Sequence, residues 1–215
     1  MTKQGKFLGW LTRRHQQMVF PRRARQIATA IAEMLPADVQ TLLDVGCGDG
    51  SIARRVMDRR PGLSATGTDV LARPHVAIPM QVYDGQRLPF DDDQFDAVMV
   101  IDVLHHCDDP DSILAEITRV ARSAVVIKDH IASGALSRAV LRFMDWVGNR
   151  GHGVRLVYNY WTAEQWQRSW QRHGLKIIER RHQLKIYPVW ARPVLEWGKH
   201  FTVALATTGK EREIE

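Results

Sequence analysis

Hydrophobic and polar positions alternate in two rhythms along this chain, and the switches between them outline an α/β protein. Ile27, Ile31, Met34 and Leu35 form one apolar stripe at helical spacing, which predicts a helix over about 22–35, opened by Pro21 and ended by Pro36. A short apolar run at 40–45 (Leu42, Leu43, Val45) then predicts a buried strand. Glycines follow at 46, 48 and 50, and helical spacing resumes from about Ser51 with Ile52, Ala53, Val56 and Met57 until Pro61-Gly62. Leu63–Asp69 reads as a second strand. Residues 76–83 read as a third, placed at an edge by Pro79. Phe95–Ile101 is apolar except for Asp96, as expected of a central parallel strand buried on both faces.

The second half continues the alternation. Asp109 and Pro110 have the form of an N-cap and first helical residue, ahead of a face built by Ile113, Leu114, Ile117 and Val120. Ala124–Ile127 predicts a fifth strand. Residues 134–147 predict a helix with one apolar side (Leu136, Val140, Phe143, Met144, Val147), followed by a polar connector, Gly148–Gly153. Thr162 to Gln165 has the form of a capping box, opening a helix with Ala163, Trp166 and Trp170 that closes at Gly174. Leu175–Lys185 and Phe201–Ala206 predict two more strands, the last antiparallel, and Lys210–Glu215 a frayed tail. Strands alternating with helices at this spacing imply a mostly parallel sheet.

With 215 residues, 45% hydrophobic and 25% charged, the chain has the size and composition of one soluble domain, alone or with an added lobe. Two cysteines, Cys47 and Cys107, make no disulfide framework, which suits a reducing compartment. The apolar stretch Phe7–Leu11 is too short for a signal-peptide core, and no run approaches the roughly 20 residues of a membrane span. The expected location is cytoplasmic. Residues 1–21 form a basic arm whose Phe7, Leu8, Trp10, Leu11, Met18, Val19 and Phe20 suit either an amphipathic helix on the site or a lipid surface, or a simple packed arm. Charge is uneven: residues 1–32 carry +7, residues 33–133 carry −8 and residues 134–215 carry +7. The basic flanks suit an anionic substrate, a carrier or a membrane surface, or simply a solvated exterior.

The glycine turn is where chemistry begins. Its glycines permit positive φ and close approach of a ligand to the main chain, and the first N–H groups of the next helix lack internal partners. Four features in order then resemble the class I S-adenosylmethionine (SAM)-dependent methyltransferases, in particular the small-molecule branch, over about residues 22–130. Leu42-Leu-Asp44-Val-Gly46-Cys47-Gly48-Asp-Gly50 is similar to the family's glycine-rich first motif, and Asp69 to its ribose-binding acid. Asp84-Gly85 before Leu88-Pro89-Phe90 resembles its adenine motif, and Ile101-Asp102-Val-Leu-His105-His106 the end of its fourth strand.

The resemblance implies a Rossmann-like seven-stranded sheet, mostly parallel with the last strand antiparallel, with helices on both faces and a helical, aromatic lid. The domain would run over 22–215, with lid segments at about 130–160 and 186–199. It implies SAM as cofactor, released as S-adenosylhomocysteine and held by Asp44, Gly46, Cys47, Gly48, Asp69, Val70, Asp84, Gly85 and Asp102. Asp44 would receive the amino group, Asp69 both ribose hydroxyls, and Asp84 the adenine amine. Methyl transfer asks mainly for positioning and exclusion of water; an acceptor of high pKa also needs a base, for which His105 and His106 are placed. Both histidines also suit a purely structural loop. Lys128, Asp129 and His130 at the next strand end form a second candidate set, and no spacing specifies a metal site.

The lid segments carry Phe143, Trp146, Tyr158, Tyr160, Trp161, Tyr187, Trp190 and Trp197 beside Arg138, Arg142, Arg150, Arg155 and Arg192. They suit a small or lipid-like, anionic acceptor, free or carrier-bound, or else a second small core. A dehydrogenase would need Gly-x-Gly-x-x-Gly, and Ser51 stands where its third glycine would. A nucleic-acid methyltransferase is favoured only by the basic flanks, since no Asn-Pro-Pro-Tyr-type motif or appended RNA-binding module is present. A non-catalytic interaction protein would not need the intact Asp69 and Asp84.

Overall fold

In the computed structural model, described for residues 21–149, 153, 155–182, 184, 186, 189 and 199–208, seven strands form one sheet. The strands are β1 (Thr41–Val45), β2 (Ser64–Asp69), β3 (Met80–Val82), β4 (Phe95–Ile101), β5 (Ala121–His130), β6 (Leu175–Arg181) and β7 (His200–Thr207). Their order is β3-β2-β1-β4-β5-β7-β6. All pairings are parallel except those of β7, which runs antiparallel to both β5 and β6. The order reverses between β1 and β4, which opens a crevice at the carboxyl ends of these strands.

Helix α1 spans residues 21–34, α2 Ser51–Met57, α3 Pro110–Val120, α4 Ala135–Asn149 and α5 Ala163–Arg172. Alternate strand residues divide between two apolar layers. Leu42, Ala65, Ala97, Met99 and Val126 pack with Ile27 and Ile31 of α1 and Ala53 and Val56 of α2. Leu43, Val98, Val100, Val125 and Val203 pack with Ile113, Leu114 and Ile117 of α3 and Trp166 and Trp170 of α5. Asp96, the one polar residue in the β4 run, accepts hydrogen bonds from the Gln40 and Thr41 amides (3.1 and 3.0 Å), tying β4 to the start of β1. The capping box forms, with Gln165 N donating to Thr162 Oγ1 (3.3 Å) and Thr162 N to Gln165 Oε1 (2.9 Å). Asp109 caps α3 through the amides of Asp111 and Ser112.

The structure departs from the sequence expectation at several elements. β3 is an edge strand, as Pro79 indicated, but covers only Met80–Val82 rather than 76–83, because proline has no N–H to extend the ladder. β5 is far longer than Ala124–Ile127: antiparallel pairing to β7 continues to His130 opposite His200, which carries three polar residues into the interior. β6 ends at Arg181, short of Lys185. Helix α4 has the expected extent but is rotated. Ser137, Leu141 and Asp145 face inward, while Leu136 and Phe143 of the apolar side are exposed. Residues 1–20 and most of 186–199 lie outside the described residues, so the N-terminal arm and the second lid segment do too.

Candidate functional site

Residues at the carboxyl ends of β1, β2, β4 and β5 build two adjoining clusters. The first is the glycine turn. The Gly46 and Cys47 amides both donate to the Thr68 carbonyl (2.7 and 3.1 Å), which stitches the turn to β2. Gly46 has φ +72°, and a Cβ there would lie 2.3 Å from Val103 Cγ2. Gly48 also has positive φ (+57°), but nothing lies within 4 Å of where its Cβ would be, so one side of the turn is open. The Ser51 amide, expected to face the turn, donates to Asp49 Oδ1 (3.0 Å).

Asp69 closes the turn from the β2 end: Oδ2 accepts from Gly48 N and Oδ1 from Leu71 N, both at 2.9 Å. Each oxygen keeps a lone pair for a further donor. Asp44 is buried beneath. Burial first, then the Asp69 and Asp49 carboxylates, push its pKa up to about 8. Burial likewise pushes the Cys47 thiol up to about 12, so it stays protonated. Beyond Asp69, Val70 is exposed, and a Cβ on Gly85 (φ +83°) would meet its Cγ1 at 3.2 Å. The exposed Asp84 accepts from the amides of Gln86 and Arg87 (2.8 and 3.1 Å), which hold its carboxyl below the usual range. The turn, Asp44, Asp69, Val70 and Gly85 are thus neighbours.

The second cluster is a chain of buried charges. Asp102, at φ +54° just past β4, pairs with Arg23 of α1 and with Lys128 Nζ (2.5 Å). Burial opposes its charge, but Lys128 and Arg23 hold its carboxyl well below the usual range. Lys128 also meets His200 Nδ1 at 3.3 Å. Next to it, His105 Nδ1 lies 2.6 Å from Asp129 Oδ1 and its Nε2 3.4 Å from Asp145 Oδ1. Burial disfavours the imidazolium, yet these two carboxylates raise the His105 pKa to about 10. His105 is therefore charged, with both ring nitrogens engaged.

His106 differs. Its Nε2 is 3.6 Å from Asp145 Oδ1, its buried Nδ1 has no hydrogen-bond partner among the described residues, and its side chain is 14% exposed. Burial and the neighbouring His105 charge lower its pKa to about 4, so it is neutral. Tyr160 donates to Asp145 Oδ2 (2.9 Å) and stacks on His105 at 5.3 Å. His130 Nδ1 sits 3.3 Å from Asp129 Oδ1 and 3.4 Å from His105 Nδ1.

His105, Asp129 and His130, and separately His105, His106 and Asp145, offer ligand atoms within 4.8 Å of one another, so either set has the donors for a metal. In each, hydrogen bonds already engage the His105 nitrogens. The sequence brought out His105, His106 and the Lys128–His130 set, and Tyr160 as a lid aromatic, but missed Asp145, Arg23 and His200. The one signal for Asp145 was its being the lone acid of this helix, four residues after Leu141 and eight after Ser137.

A mostly parallel sheet with reversed order, a glycine turn after β1 and an acid at the end of β2 is the arrangement in which α/β proteins hold nucleotide-type cofactors. A family described as a methyltransferase domain matches residues 19–180, three quarters of the sequence, and the chain belongs to it. It is 31% identical over 110 residues to the methyltransferase GfsG of Streptomyces halstedii, covering 44% of this chain and 39% of that protein. The chain thus matches about two fifths of that relative's length. In fold it is similar to a chain of the complex between the Haloferax volcanii methyltransferase activator Trm112 and its partner (TM-score 0.62, 16% identity, 94% and 97% of the chains covered). It is also similar to a geranyl diphosphate methyltransferase in complex with SAM (TM-score 0.63, 16% identity, 84% of each chain). Both neighbours share the mixed sheet of this chain, so the likeness extends to the fold.

Proposed function

We propose that the chain transfers the methyl group of SAM to a small or lipid-like, anionic acceptor, with His106 taking the acceptor's proton. The cofactor suits the first cluster. Asp44 is a buried carboxyl whose charged neighbours are two more carboxylates, so a cationic amino group there relieves repulsion that the protein itself leaves standing. The open side of Gly48 admits the sugar, Asp69 accepts from its hydroxyls, and Val70, Asp84 and Gly85 flank the base. SAM supplies an electrophilic methyl group on a positive sulfur; the chain positions the acceptor and excludes water.

The observation that carries the acid–base assignment is the contrast between the two histidines. His105 is spent between Asp129 and Asp145, while His106 is neutral, reaches the surface and has Asp145 beside it to stabilise the imidazolium it becomes. Arg142 lies over the Tyr158 ring (4.8 Å), which is beside Tyr160 and so near His105, and a guanidinium there suits an anionic acceptor.

The test is transfer of labelled methyl from SAM into a panel of carboxylated and phosphorylated apolar acceptors, followed by the pH profile of kcat at saturating cofactor. With His106 as base, the acid limb lies near pH 4 and His106→Ala abolishes transfer while SAM affinity is kept. An acid limb near pH 10, or full activity in His106→Ala, refutes the assignment.

A further inference from the structure

We propose that the outer face of α4 docks on an anionic lipid bilayer. Leu136, Val140, Phe143 and Val147 recur at the spacing of one helical stripe, yet Leu136 is 80% exposed and Phe143 63% exposed. Trp146, 39% exposed, lies beside Phe143 with ring centroids 6.4 Å apart. The opposite face carries Ser137, Leu141 and Asp145 into the protein. Val140 and Val147 are half-buried and Met144 packs against the core, so the helix turns one edge of its apolar side, formed by Leu136, Phe143 and Trp146, outward. Leu136 and Phe143 stand about 10 Å apart along it, from a rise of about 1.5 Å per residue, so the apolar surface is extended rather than a single exposed side chain.

Charge identifies the occupant. The exposed basic residues of α4 are Arg138, which donates to the Tyr160 carbonyl, and Arg142, which lies over Tyr158; among the described residues neither is paired with a carboxylate. The only acid of α4, Asp145, points inward to His105 and Tyr160. A two-fold contact between copies would set these arginines against their own counterparts, whereas anionic headgroups complement them. Among the described residues no helix is long and apolar enough to cross a membrane, so contact would be interfacial. Because α4 also brings Asp145 to His106, docking sets the site at the bilayer surface, where an apolar acceptor would dissolve. That last clause rests on the acceptor class proposed above; the docking itself does not.

The experiment is flotation of the full chain with vesicles of phosphatidylcholine alone or mixed with phosphatidylglycerol. Binding to the mixed vesicles, with a blue shift of tryptophan emission, is expected. Leu136→Glu with Phe143→Glu should reduce partitioning at least about tenfold, from two charges placed where apolar side chains meet lipid. Calorimetric titration with SAM on the same samples reports folding and the methyltransferase reading separately. No vesicle binding, binding that survives both substitutions, or a dimer that Phe143→Glu dissociates would each overturn the proposal.

Discussion

Replacing Asp129 by asparagine removes the stronger of the two carboxylates that hold the buried His105 imidazolium, with almost no change of shape. Asparagine Oδ1 can still accept from the His130 amide, now 2.7 Å from Asp129 Oδ1, so the loss is mainly of charge. The His105 pKa is raised from 6.5 to about 10, and a group raised on folding stabilises the protein fully below its unfolded pKa. That stability fades as pH climbs through the folded value. A shift of this size has a ceiling of about 5 kcal/mol, with about 4 remaining at pH 7 and less than 1 at pH 10. Asp145 keeps its share, so Asp129→Asn should cost about 2–3 kcal/mol at pH 7, and the gap to wild type should narrow below about 1 kcal/mol at pH 10. Urea unfolding followed by tryptophan fluorescence at several pH values measures it. A gap that stays constant from pH 7 to 10 would mean that His105 is neutral in the fold, and the distinction drawn between His105 and His106 would fail with it.

Two further substitutions probe the cofactor turn. Gly46→Ala places a methyl group 2.3 Å from Val103 Cγ2 at positive φ and should destabilise by about 2–4 kcal/mol, part of which returns in the double variant with Val103→Ala. Unfolding midpoints check this, and a single variant as stable as wild type would disprove the close approach. Asp69→Ala removes an acceptor fixed by the Gly48 and Leu71 amides and should weaken SAM binding by about 1–3 kcal/mol in calorimetry. Unchanged affinity would remove Asp69 from the site.

The glycine-turn cluster was legible in the sequence because it is local. Gly46, Gly48, Asp44 and Asp69 sit at strand ends whose apolar runs are unmistakable, and the parallel pairing of β1 with β2 brings Asp44 opposite Gly67. The buried-charge cluster was legible only in part: His105, His106 and the Lys128–His130 set stand at strand ends, but their partners are long-range and break the burial rule. Lys128, Asp129 and His130 are buried polar residues, hidden by β7 and neutralised by partners from other elements. Asp145 reaches His105 across 40 positions, and it does so from a helix whose apolar stripe suggested the opposite orientation. Hydrophobic periodicity reports the face of a helix, but it does not say whether that face meets the core. Here the demand of His105 for a second carboxylate decides it.

With SAM in the glycine turn its amino group meets Asp44, and proton release on binding tests this placement directly. With a pKa of about 8, Asp44 is mostly protonated at pH 7 and must ionise to receive an ammonium group. Calorimetric titration with SAM at pH 7, in buffers of different ionisation enthalpy, should therefore show release of roughly 0.7–0.9 proton per site, after allowance for the cofactor's own amine, whose pKa is near that of an α-amino group. Asp44→Asn should bind more weakly and release none. Binding without proton release, or the same release from Asp44→Asn, would contradict the placement of the cofactor in this turn.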